Sequence, residues 1–284
     1  MRSELARDFW RVLEPLAIVM AFAPDCIAAL QDTGLKGRWM PYFAARTAPL
    51  GAVGPAVVEA TYYGFHPRLV GRSIPDAWEL ATPAAVLAAR KTSAAGVLRK
   101  SVPGIEEAAA VVLPDLRQAI EAADPAGRPL FAANRALGRD DDPVAELWQA
   151  ATTLREHRGD GHNGCLIAEG IDGAESIVLF ATDLGASPQF WQGMRGWTEE
   201  EWAAAEHRLT ERGLLGADGL TPAGRALRAH VEDRTDVLAA RPFAGAADPV
   251  ALLRALKPLG QAVFDAGQIP RQNLLGVNLD DVVL

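Results

Sequence analysis

The chain has 284 residues, 49% of them apolar and 23% charged, with a formal net charge of −8 and a pI near 5.2. Length and apolar content suffice for a sizeable core, in two modules or one large helical domain, and argue against a disordered chain. The acidic balance disfavours nonspecific association with nucleic acid or an anionic membrane surface.

The opening segment MRSELARDFWRVLEPL lacks the continuous apolar stretch of a signal peptide, and no run reaches the length of a transmembrane helix. Cys26 and Cys165 lie far apart in apolar contexts and suit buried thiols better than a disulfide framework. A cytoplasmic protein without membrane contact is expected.

Residues 1–123 read as a helical domain. Leu5, Phe9, Leu13, Leu16 and Met20 fall at helical spacing, interrupted at Pro15, and an amphipathic stretch follows from Pro24 to Leu30. Residues 39–78 are the most aromatic part of the chain, with a helix expected from Ala56 to Tyr63 and a break at Gly64 and Pro67. Thr82 and Pro83 cap a helix to about Lys91; residues 96–123 read as one or two more, broken near Pro103-Gly104 and at Pro114.

Residues 124–245 read as a second domain. After turns at 124–127 and 139–142, Asp142 caps a helix with Pro143 at its first position, expected to end at Arg158-Gly159. Short helices follow over Asn163–Glu169 and Glu175–Phe180. Thr198 with Glu201 forms a capping box for a helix to about Arg212. Gly213 stops it; Leu214-Leu215 and Leu220 flank the turn Gly216–Gly219 as a two-stranded ribbon, and Thr221-Pro222 opens another helix toward Ala240. Residues 246–284 supply a last helix, about Pro249–Phe264, and a loop-like tail.

The segment Leu209–Gly224, with its L-x-x-R-G-L-L, turn and L-T-x-x-G pattern, resembles the recognition helix and wing of MarR-like winged-helix proteins. The wider sequence, YFAARTAPLG with GFHPRLVGRSIPDAW, LREHRGDGHNGCLIAEG and RGWTEEEWAAAEHRLTERGLL with DGLTPAGRALR, is similar to an actinobacterial helix-turn-helix family that is largely uncharacterised. Twenty-four arginines against four lysines fit a GC-rich genome of that kind. The resemblance implies a mostly α-helical fold: a helical N-terminal half with a degenerate winged-helix module, a helix-turn-helix plus short β-wing. It transfers no catalytic residues.

The charge pattern conflicts with duplex reading. The first turn of the recognition helix carries Glu199, Glu200 and Glu201, and the wing tip offers Asp218 with no arginine or lysine. Carboxylates aimed at a polyanion oppose the phosphate neutralisation on which affinity rests. Duplex DNA is therefore an unlikely partner.

Two clusters carry candidate chemistry. In His157–Asn163, His157 or His162 would carry a proton, Asp160 would orient it, and Arg158 with Asn163 would hold a ligand; alternatively, Gly159-Asp160-Gly161 is simply an interhelical turn. The second cluster is Trp39, Tyr42, Arg46, Glu59, Tyr62, Tyr63 and His66, an aromatic wall suited to a flat or greasy ligand, or equally to a packed core. Spacing fits no zinc pattern, and no Walker loop, dinucleotide fingerprint, GxSxG or CxxC occurs, so no metal and no cofactor is expected.

The reading that results is a small-molecule-binding protein on a repurposed winged-helix scaffold. It would be a cofactor-independent acid-base enzyme of bacterial specialised metabolism or a ligand-sequestering resistance protein. The alternative is a MarR-like, ligand-responsive transcriptional regulator, which would need a basic face from Arg195, Arg208 and Arg212. A homodimer through the C-terminal helix is a further expectation.

Overall fold

The computed structural model describes residues 3–270 and 276–282, with side chains from Leu5 onward; the expected tail falls partly on 271–275 and 283–284, outside the described residues. In chain order the helices of the N-terminal half are α1 (Ser3–Phe22), α2 (Pro24–Gln31), α3 (Trp39–Thr47), α4 (Pro55–Tyr62), α5 (Pro67–Gly71), α6 (Ala77–Leu80), α7 (Pro83–Ser101), α8 (Ile105–Ala122) and α9 (Pro129–Arg135). The long α10 (Pro143–Ala168) follows, then α11 (Gly173–Asp183), α12 (Pro188–Arg195), α13 (Glu199–Glu211), β1 (Leu215–Gly216), β2 (Gly219–Leu220), α14 (Pro222–Ala240) and α15 (Pro249–Asp265). The expected N-caps form: Thr82, Asp142 and Thr221 each accept a first-turn N–H, and Thr198 and Glu201 make the reciprocal capping box.

The expected breaks at Gly64 and Pro67, at Pro103-Gly104 and at Gly213 also form, but others do not. α1 runs through Pro15, α8 through Pro114, and α10 through Gly159, Gly161 and Gly164. Packing overrides the local penalty. A proline inside a helix costs about 3 kcal/mol, but α1 buries Phe9, Val12, Leu13, Leu16 and Val19, each worth roughly 1.5–3 kcal/mol. Gly260 of α15 lets that helix close on the proline turn, since a Cβ there would lie 3.0 Å from Val12 O and 3.5 Å from Pro15 Cγ. α10 is held by α1, α7, α8, α9 and α14 together. A helix so surrounded does not need a continuous row of good helix formers.

Two hydrophobic cores result. The first joins α1, α2, α7, α8, the start of α10 and α15, with Trp148 fully buried and donating from Nε1 to Ala17 O at 3.2 Å. The second fills the winged-helix module with Val178, Trp191, Trp202, Leu209, Leu220 and Val231. Leu130 and residues 144–154 belong to the first core and Cys165 and Leu166 to the second. The cores therefore divide within α10, and not at the 124–127 turn. Cys26 is buried in the first core and Cys165 in the second. Among the described residues no single helix is long and apolar enough to cross a membrane.

The wing is minimal, pairing Leu215 with Leu220 and Gly216 with Gly219. Gly224 allows α14 to start directly beneath it, because a Cβ would stand 2.1 Å from Leu214 O.

A tight corner between α4 and α5 latches the two halves together. Tyr63 has φ 51° and ψ −68°, with Gly64 N donating to Tyr62 O at 2.6 Å: a γ-turn of the strained hand. Its phenol donates to Ile171 O, and its carbonyl abuts Gly173, where a Cβ would lie 2.3 Å from Tyr63 O. Trp197 Nε1 donates to Gly64 O at 3.1 Å, and His66 N to Arg195 O at 2.8 Å.

Gly173→Ala should therefore lower stability by about 1–3 kcal/mol. Gly164→Ala, exposed within α10 and with nothing within 4 Å of its added Cβ, should raise stability by up to about 1 kcal/mol. Urea denaturation of both variants checks the pair; equal shifts would contradict this account of the two glycines.

Candidate functional site

The two halves enclose a groove of about 740 Å3, within the size range of small-molecule sites. Two helices face each other across it with the same periodicity. Arg7, Trp10, Arg11, Glu14 and Ile18 project from α1, and Arg155, Arg158, Gly159, His162 and Leu166 from α10, both spaced i, i+3, i+4, i+7, i+11. α3 adds Trp39, Tyr42 and Arg46, the α4–α5 corner adds Tyr62, Tyr63 and Phe65, and the module adds Ile177, Phe180, Arg195 and Leu227.

At one end the polar groups are almost completely buried. Arg46 grips Glu156 through Nε–Oε1 and Nη2–Oε2, both 2.8 Å, while its guanidinium lies 4.4 Å from the Tyr62 ring centre. Arg155 donates to Glu14 Oε1 at 2.8 Å and to Glu156 Oε1 at 3.2 Å. Burial pushes the Glu156 carboxyl up, but Arg46 and Arg155 outweigh it and hold the group at about 2. The carboxylate is thus fixed in the charged state. Tyr62 stacks on Phe43 at 5.7 Å and shares a 2.5 Å hydrogen bond with Thr47, and burial raises its phenol.

At the other end Arg158 donates to Asp236 Oδ1 at 2.7 Å and to Glu232 Oε2 at 2.9 Å, with Trp10 5.2 Å from its guanidinium carbon. Arg7 also holds Asp236 at 2.7 Å. His162 Nδ1 is 3.2 Å from Thr235 Oγ1 and 3.8 Å from Glu232 Oε1. Burial lowers the imidazole's proton affinity, against the opposing pull of Glu232.

The expected acid-base trio does not assemble, because its segment is helix and not loop. His162 faces the groove, whereas His157 and Asp160 point from the opposite face of α10 toward α9. His157 sits edge-on to Phe131 at 4.9 Å, and Asp160 Oδ2 accepts from Phe131 N at 2.9 Å. Gly161 admits Arg128, whose Nη1 donates to His157 O at 2.6 Å; a Cβ at Gly161 would lie 2.5 Å from that nitrogen. Among the described residues, no group of three or more His, Cys, Asp or Glu is arranged to hold a metal.

The other candidates divide similarly. Trp39, Tyr42, Arg46, Tyr62, Tyr63, Arg158 and Asn163 line the groove. Asn163 donates to Thr61 O at 3.0 Å and so ties α10 to α4. Glu59 lies outside the groove. His66 caps α5 by accepting from Arg68 N at 2.9 Å, and its Nε2 pairs with Glu201 at 2.9 Å. Glu14, Arg155, Glu156, Glu232 and Asp236 escape a reading that treats 157–163 as a loop; helical spacing from Arg155 would have picked out the groove face of α10.

Glu201 also meets Arg68, at 3.2 Å, so the first turn of α13 is docked on α5. The arginines expected to make a basic face are engaged elsewhere. Arg208 binds Asp172 at 2.6 Å and Glu175 at 2.9 Å, and Arg212 donates to Gly170 O and Glu169 O at 2.9 and 3.0 Å. Arg195 turns inward against Phe65 and Trp191, 4.3 and 5.4 Å from their ring centres.

His157 and Asp160 should oppose one another in pH dependence. Burial, aided by Arg128, lowers His157 to about 3. It therefore contributes stability that is lost as pH falls below the unfolded value near 6.5. Burial raises Asp160 to about 6, so its contribution is present at low pH and lost as pH rises from near 4 toward 6. Each slope is about 1.4 kcal/mol per pH unit, and the two offset over pH 4–6. Relative to wild type, Asp160→Asn should lose stability on acidification across that window and His157→Leu should gain it. Thermal melts from pH 4 to 7 check this; parallel profiles in the two variants would contradict it.

The chain matches no curated protein and no solved structure in the comparisons made. A family model described as a helix-turn-helix family matches residues 6–270, nearly the whole chain, so both halves of the molecule fall within one family unit. With the winged-helix geometry of α11 to α14 in place, the chain belongs to this helix-turn-helix family.

Proposed function

We propose that the protein binds a small organic molecule in the groove between its helical half and its winged-helix module. The observation that carries this reading is the groove itself: about 740 Å3, walled by Trp10, Trp39, Tyr42, Phe65 and Phe180 and bounded at each end by fixed charged groups. Apolar walls with a few oriented polar groups are the usual make-up of such sites. If chemistry follows binding, His162 is the proton carrier at hand, neutral through burial and close to Thr235 and Glu232. Sequestration of the ligand needs no such step.

The helix-turn-helix family match favours DNA binding as a second reading, and its fuller form is a ligand-responsive, MarR-like transcriptional regulator whose effector would occupy the same groove. Against it stand the docking of Glu201 on α5 and the internal engagement of Arg208 and Arg212. Those contacts leave few cations for phosphates.

Two titrations separate the readings. The neutral aromatic probe 2-naphthamide should bind the wild-type protein by calorimetry and at least fivefold more weakly to Tyr42→Ala; absence of wild-type binding to this amide and to its charged counterparts of the same shape would overturn the small-molecule reading. Anisotropy at low salt should give the same affinity, within about twofold, for a duplex from the region upstream of its own gene and a scrambled duplex. A tenfold preference for the former would put the regulator in front.

A further inference from the structure

The groove runs against the charge of the chain that forms it. On a protein of net charge −8, nine arginines line the groove with only Glu14, Asp183 and Glu232 as acidic lining residues. Most of these arginines are matched: Arg7 and Arg158 by Asp236, Arg46 by Glu156, Arg155 by Glu14 and Arg228 by Asp183.

Arg195 is unmatched. Arg38 and Arg225 have no carboxylate partner among the described residues either, but both are exposed; Arg195 is not. The residue is half-buried, its Nε is fully buried without a hydrogen-bond partner, and among the described residues no carboxylate pairs with it. Its neighbours are the Phe65 and Trp191 rings, which stack on the guanidinium without satisfying its N–H groups. A buried donor left unmade costs about 1–3 kcal/mol, and here two further cations, Arg46 and Arg155, repel it. Burial and that repulsion bring Arg195 down to about 10, still charged at neutral pH. The side chain is held at a loss to the free protein, in a groove, with its hydrogen-bonding capacity unspent.

We propose that Arg195 is the anchor for a monoanionic carboxylate on a ligand with a flat apolar body, an inference that rests on the small-molecule reading above. The body would lie on the shelf of Trp39, Tyr42 and Phe65, whose ring centres are 5.7–5.8 Å from one another. A guanidinium presents two parallel N–H donors to a carboxylate, the geometry that a lysine cannot supply. Charge selects the monoanion: Arg46 and Arg155 are paired with Glu156 and Glu14, so the half-buried Arg195 beside them brings one uncompensated charge to the groove lining. A dianionic phosphate would overcompensate beside the buried acceptor Glu14 Oε2, which itself has no partner.

The test uses the full chain and three probes of one shape: 2-naphthoate, 2-naphthamide and 2-naphthyl phosphate, titrated by calorimetry. Wild type should bind the carboxylate at least tenfold more tightly than the amide and more tightly than the phosphate. Arg195→Gln should erase the preference for the acid over the amide, leave the amide affinity within about twofold, and leave the melting temperature unchanged or raised, since an unpaired buried charge has been removed. Arg195→Lys, which keeps the charge but not the fork, should retain a reduced preference; it decides the matter if the glutamine variant does not fold. Equal binding of acid and amide to wild type would overturn the carboxylate anchor while the ligand reading stood. A tighter phosphate would overturn the choice of anion, and binding of none of the three would remove both readings together. A fall in melting temperature for Arg195→Gln with unaltered carboxylate binding would make Arg195 a packing residue and overturn the proposal.

Discussion

The structure depends on α10 remaining one helix from Pro143 to Ala168. It is the element common to both hydrophobic cores, packed at its start against α1, α7 and α8 and ending among the side chains of the module. Three glycines in its second half weaken it intrinsically, by close to 1 kcal/mol each relative to alanine. Tertiary contacts compensate: Arg128 enters the space left by Gly161, Asn163 bonds to Thr61 O, and Arg158 bonds to Glu232 and Asp236 on α14. Because the helix is continuous, neighbours in sequence separate in space. Arg155, Arg158 and His162 reach the groove, while His157 and Asp160 serve α9 on the other side.

The same contacts fix how the module sits. The strained turn at Tyr63 persists because the surroundings determine it from several directions: Ile171 O accepts from the phenol, Gly173 receives the carbonyl, and Trp197 bonds to the next residue. His66 and Arg68 then hold Glu201 at the start of α13. The α4–α5 corner thus reaches from the helical half to the start of α13 and closes one side of the groove. A ligand that displaced Tyr63 or Phe65 would act on the docking of that helix directly, without a longer chain of contacts.

The sequence made the local punctuation legible and the tertiary context illegible. Caps at Thr82, Asp142, Thr198 and Thr221 were readable because a side chain bonding to a backbone N–H two or three residues away is a local event. So was the ribbon around Gly216–Gly219. Pro15, Pro114 and the Gly159-Asp160-Gly161 segment of α10 read locally as breaks, since what keeps those helices intact is packing supplied from elsewhere in the chain. Helices α9 and α12, short and proline-led, gave too little periodicity to stand out. At the groove, aromatic clustering pointed to the wall, but the pairing of Arg46 with Glu156 spans 110 residues and has no local signature. The histidine-rich window looked like a site because its residues are adjacent; helical geometry gives adjacent residues different faces.

Arginine content has a different meaning once partners are known. On sequence alone, Arg195, Arg208 and Arg212 are three cations near a recognition helix, and a basic face is the natural expectation. In the folded chain Arg208 and Arg212 close the α10–α11 corner, binding the cap of α11 and the last carbonyls beyond α10. Their charge is balanced where the scaffold needs rigidity, and Glu199–Glu201 add negative charge where a DNA reader would need positive. Arg195 takes the other course, turning into the groove toward rings and fellow cations. Internal ion pairs withdraw positive charge from the outer surface of the module, while the groove retains a cation that no protein carboxylate neutralises. This is the distribution expected when the anion to be recognised is small enough to enter the seam between the two halves, and it is the reverse of what a duplex lying across the module would require.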